Sequence, residues 1–132
     1  MRQINKVIIH CSDSDIPAHD DISVIDKWHK ERGWSGVGYH FFIKSNGDIQ
    51  IGREMYEVGA HCYGHNSDSI GICLHGKTEF TEIQFRHLNN LIQSLLKQFP
   101  GILEVEGHYA YSNKTCPNFN VQEFKLNYNI RI

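Results

Sequence analysis

The sequence predicts an α/β fold: a single domain with a central mixed β-sheet of about five strands, flanked by helices on both faces. Three observations carry that reading. Lys6–Cys11 is apolar at consecutive positions, as in a central strand covered on both sides. An Asn46-Gly47 pair separates two runs of strand formers, a strong short hairpin signal. Beyond Thr81, apolar residues recur at helical spacing. With 132 residues, 40% of them hydrophobic, the chain has room for one core, so residues 1–132 read as one domain.

In chain order, the first strand ends in His10-Cys11 and gives way to a polar loop. Ser23, with Asp26 three positions on, reads as the start of a helix. Val24, Ile25 and Trp28 give that helix one apolar face before Gly33 stops it. Gly38–Lys44 and Ile49–Arg53 read as two antiparallel strands around Ser45–Asp48. The stretch from Val58 to Asp68 has no periodicity and carries Gly59, His61, Gly64, His65 and Asn66, so it reads as a loop. A strand follows at Ser69–Leu74.

Thr81 and Gln84 form a capping-box pattern ahead of Phe85, Leu88, Leu91, Ile92, Leu95, Leu96 and Phe99, and Pro100-Gly101 ends this longest helix. A last strand through Leu103, Val105 and His108, a loop to Cys116-Pro117 and a short helix from Val121 to Tyr128 complete the pattern.

Composition narrows the function. Thirteen basic residues against 15 acidic give no general attraction to nucleic acid, so no nucleic-acid partner is expected. No apolar run approaches the roughly 20 residues of a membrane span, and the first residues lack the apolar stretch of a secretory signal, so no membrane insertion and synthesis in the cytoplasm are expected. Four cysteines without a dense, regular pattern read as mostly free thiols. Nine histidines exceed what packing needs and point to a metal or proton-transfer site.

Catalytic zinc sites use three protein donors, preferably imidazole and thiolate, and leave one position for water. His10 and His108 at strand ends, with Cys116 a loop beyond, supply such a set. Their spacing matches none of the tight metal motifs. A strand-end histidine also commonly just hydrogen-bonds, and a Cys before Pro is often a small buried hydrophobe.

The strings VIIHCS from Val7, WHKERGW from Trp28, VGYHFFIKSNGDI from Val37, VGAHCYGHNSDSIGICL from Val58 and GHYAYSNKTCPNF from Gly107 occur in that order. Together they resemble the type-2 N-acetylmuramoyl-L-alanine amidases, the superfamily that includes the peptidoglycan recognition proteins, and most closely its small phage members. The resemblance implies one Zn2+ held by His10, His108 and Cys116, with catalytic assistance from Tyr39 and Lys114. It implies hydrolysis of the amide between N-acetylmuramic acid and L-alanine in bacterial peptidoglycan, by an enzyme acting on the cell wall after release. His61 and Asn66 would line the substrate groove, and Trp34 would either cap the core or stack on sugar. The chain departs from many relatives at Tyr109–Asn113, which lacks their Asp and Pro. Two other readings stay open: a muropeptide-binding module that does not cut, and a phage amidase that also regulates an RNA polymerase. A monomer is expected.

Overall fold

The computed structural model describes residues 2–132. Its strands are β1 (Lys6–Cys11), β2 (Phe41–Ile43), β3 (Ile49–Ile51), β4 (Ser69–Leu74) and β5 (Glu104–Gly107). They form one sheet in the order β3-β2-β4-β1-β5. β1 pairs in parallel with both β4 and β5, and β2 pairs in parallel with β4. Only β2 and β3 run antiparallel, around the Asn-Gly turn, where Gly47 adopts φ +91°. The sheet is therefore mixed and five-stranded.

The three helices are α1 (Ile22–Glu31), α2 (Glu82–Gln98) and α3 (Val121–Asn127). Successive strand residues point to opposite faces, and this sorts the core in two. Val7 and Ile9 of β1 join Ile70, Ile72 and Leu74 of β4 under Leu88, Ile92 and Leu95 of α2 and Val121 and Phe124 of α3. On the other face, Ile25 of α1 packs on Phe42 and Cys73, with Trp28 and Tyr39 against them. β1 is apolar at consecutive positions because both of its faces are covered.

The capping box of α2 forms as expected, and Gln84 also donates from its buried amide to the carbonyls of Ile43 and His75, tying the helix start to the sheet. The start of α1 differs from expectation. Asp21, not Ser23, is its cap, and the Ser23 N–H donates to Asp21 Oδ2 at 3.0 Å. A cap side chain accepts from an N–H two or three residues on, so the acceptor had to lie upstream of the apolar face. β2 is shorter than the run that suggested it, and Tyr39 and His40 precede it. Pairing continues irregularly there, with the Arg53 N–H on the Tyr39 carbonyl and the His40 N–H on the Gly71 carbonyl. β5 ends at Gly107, and His108 opens a single 3-10 turn, His108–Ala110.

Candidate metal centre and groove

Ile9 faces the α2 side of the sheet, so the next residue, His10, faces the other side from the end of β1. β5 lies beside β1 in parallel and delivers His108 to the same sheet end. The loop after it returns Cys116, whose Sγ accepts from the Cys11 N–H at 3.2 Å. One donor atom from each of His10, His108 and Cys116 lies within 4.8 Å of the others. Among the described residues this is the only such group of three. Sγ of Cys116 is 3.9 Å from Nδ1 of His10. A tetrahedral zinc ion with ordinary Zn–N and Zn–S bonds needs about 3.6 Å between such donors, so the residues fit that ion with a small adjustment.

The electrostatics suit ligation. Burial, and then the neighbouring His61, His108 and Lys114, hold His10 well below the ordinary imidazole range. His108 is also lowered, by burial and then by Lys114. Both rings are therefore neutral at neutral pH and have lone pairs to give. The hydrogen bond with the Cys11 thiol, followed by burial, raises Cys116, and a divalent cation would reverse that preference.

Tyr39 stands against this cluster, its ring centroid 5.0 Å from that of His10. Burial first, and then the thiols of Cys73, Cys116 and Cys11, push its hydroxyl well above its ordinary value, so it stays a proton donor. Lys114 is exposed at the rim of a groove of about 610 Å³ whose floor is His10, His108 and Cys116. Trp28, His29, Arg32 and Trp34 also line it. Trp34 is 39% exposed, its ring centroid is 4.6 Å from that of His29, and the Arg32 guanidinium lies over the Trp34 ring, 5.7 Å from its centre.

His61 reaches the groove but is almost buried, and both of its ring nitrogens are engaged. Nδ1 is 2.8 Å from His10 Nε2, and Nε2 is 3.1 Å from Ser69 Oγ. Burial lowers its pKa to about 3. Asn66 serves its own loop: Oδ1 accepts from the N–H groups of His61 and Cys62, each at 2.9 Å, and the residue is not among those lining the groove.

His29 lies on α1 beside the groove. The structure shows its Nδ1 accepting from the Gly38 N–H at 2.8 Å while its ring packs near Tyr39 and Trp34. Arg32, Asn113 and Asn118 line the groove without having been singled out. They sit at helix ends and in loops, where no periodic signal marks them. Cys11 was also missed as the neighbour of Cys116, although its position next to His10 was a usable clue.

A mixed sheet between helices, with two imidazoles and a thiol converging under an open groove, defines the class: an α/β domain with a candidate three-donor metal site. A family model described as N-acetylmuramoyl-L-alanine amidase matches residues 1–119. The chain is 35% identical over 126 residues to the endolysin of Escherichia phage T7, covering 89% of this chain and 83% of that protein. The solved N-acetylmuramoyl-L-alanine amidase LysC from Clostridium intestinale URNW superposes with a TM-score of 0.88 at 31% identity, covering 98% of this chain and 88% of that one. Wild-type Drosophila PGRP-LB superposes at 0.76 with 29% identity, covering 89% and 76%. The chain belongs to the N-acetylmuramoyl-L-alanine amidase family and is a peptidoglycan amidase.

Proposed function

We propose that the chain hydrolyses the amide between the lactyl group of N-acetylmuramic acid and L-alanine with one zinc ion held by His10, His108 and Cys116. The observation that carries this reading is the convergence of those three donors within 4.8 Å on the floor of an open groove. When bound, the ion supplies Lewis-acid polarisation of the scissile carbonyl and acidifies a water for attack.

The protein's own groups do the rest. Attack on the amide builds negative charge on the carbonyl oxygen, and the Lys114 ammonium at the groove rim is the mobile cation that steadies it. Tyr39, kept protonated, donates a hydrogen bond to the same developing charge or holds the attacking water. Trp34, part-exposed where it lines the groove, stacks on a sugar ring. His61 presents only ring edge to the substrate, and Asn66 acts on it through the shape of the 61–66 loop. The enzyme works as a monomer. The endolysin relatives support a place of action at the cell wall, reached after release.

The test is digestion of purified peptidoglycan by zinc-loaded protein, followed by mass spectrometry. Release of intact stem peptides with a free L-alanine amine is expected. Binding of wall fragments without release would turn the reading to a muropeptide-binding module.

A further inference from the structure

We propose that His61 is a positioning residue for the metal centre: anchored on Ser69, it accepts the Nε2 proton of His10 and so fixes Nδ1 as the nitrogen that faces Cys116. The proposal rests on the zinc site proposed above. It adds a residue that holds a ligand without itself ligating.

The hydrogen-bond chain has one consistent direction. A neutral imidazole carries a single N–H. His10 Nδ1 lies toward Cys116, 3.9 Å from its sulfur, so it must be bare to bind a cation, and the proton of His10 is then on Nε2. That nitrogen is 2.8 Å from His61 Nδ1, which must accept. The proton of His61 is therefore on Nε2, which meets the Ser69 hydroxyl at 3.1 Å. The reverse chain would place a proton on His10 Nδ1 and close the site to a metal. Ser69 is fully buried at the start of β4, so the far end of the relay is part of the sheet.

The socket around His61 is built as well. A Cβ added at Gly71 would lie 2.7 Å from both Cγ and Cδ2 of the ring, and one at Gly59 would lie 2.7 Å from Cδ2. Two strips of backbone without side chains thus clamp the imidazole, and Asn66 fixes the His61 N–H. Groups that orient a metal-bound histidine typically change metal affinity by about 10–100-fold when removed.

The experiment measures zinc dissociation constants by chelator competition for the wild type, His61→Phe, His61→Gln and Ser69→Ala, with circular dichroism reporting the fold. Nitrogen-15 spectra of the zinc-loaded wild type report the tautomers. His61→Phe is expected to weaken zinc binding about 10–100-fold. His61→Gln, whose carboxamide oxygen can accept, is expected to recover much of that loss, and Ser69→Ala to lose less. Both His10 and His61 are expected as Nε2–H tautomers. A folded His61→Phe that holds zinc as tightly as the wild type would overturn the proposal. So would a wild-type His61 carrying its proton on Nδ1, a result that depends on no variant folding. If the wild type itself fails to hold zinc, the zinc site falls first and this role with it. Wild-type affinity with an indifferent His61→Phe sinks only the positioning role.

Discussion

The Cys11 N–H donates to Cys116 Sγ across 3.2 Å, joining the end of β1 to a loop 105 positions later. An N–H aimed at sulfur favours thiolate, against the neighbouring thiol and burial that favour the protonated form. Cys116→Ala is therefore expected to lose zinc retention and stem-peptide release together, while the protein stays folded. Metal analysis after gel filtration checks this. A Cys116→Ala protein that keeps one zinc and full activity would remove Cys116 from the site.

Lys114→Ala separates charge stabilisation from metal binding. The ammonium is exposed at the groove rim and is not one of the three donors. Zinc content is expected to be unchanged, with kcat falling about 100-fold or more, the scale of losing one donor to a developing oxyanion. Tyr39→Phe is expected to behave likewise, with a loss of about 100-fold or more. Steady-state turnover of a defined muropeptide gives both values. A fall in zinc occupancy would assign either residue a structural part instead.

Acid sensitivity follows from the cap of α1. Hydrogen bonds from the Ser23 and Gln50 side chains, with the Ser23 N–H, hold Asp21 at about 2, below its ordinary 3.8. The folded value is the lower one, so the stability it lends is complete above about pH 4 and is lost as pH falls toward 2. Asp21→Asn keeps a capping oxygen and is expected to flatten that limb with little change at pH 7. Asp21→Ala is expected to cost about 1 kcal/mol at neutral pH. Urea titrations from pH 2 to 7 measure both. An unaltered acid limb in Asp21→Asn would contradict the assignment.

Gly71→Ala tests the socket without touching the ligands. The new Cβ must displace the His61 ring, so zinc affinity is expected to fall in the same direction as in His61→Phe. The double variant is expected to bind no more weakly than His61→Phe alone, because both changes act through one contact. Additive losses in chelator competition would show that Gly71 acts elsewhere.

Much of this architecture was legible because its signals are local. The buried run of β1, the Asn46-Gly47 hairpin and the Thr81/Gln84 capping box each specify structure within a few residues, and each formed. The cap of α1 was misplaced because Ser23 and Asp21 are both competent caps, and only the position of the apolar face against the sheet decides between them. The three candidate donors come from the end of β1, from the turn that directly follows β5 beside it, and from the loop beyond. No spacing rule encodes that adjacency, so residue types alone left them as candidates and the resemblance had to join them. The pairing of His61 with His10 had no sequence signal at all. It depends on glycines in β4 and in a loop leaving room for a ring on the same sheet face, which becomes visible only after the chain has folded.

The most direct test is to digest purified peptidoglycan with protein carrying one equivalent of zinc, with the same protein stripped by chelator, and with the stripped protein given zinc again. Mass spectrometry should show the lactyl–L-alanine amide cut in the first and third digests and intact in the second. Full cutting by the stripped protein would contradict the account.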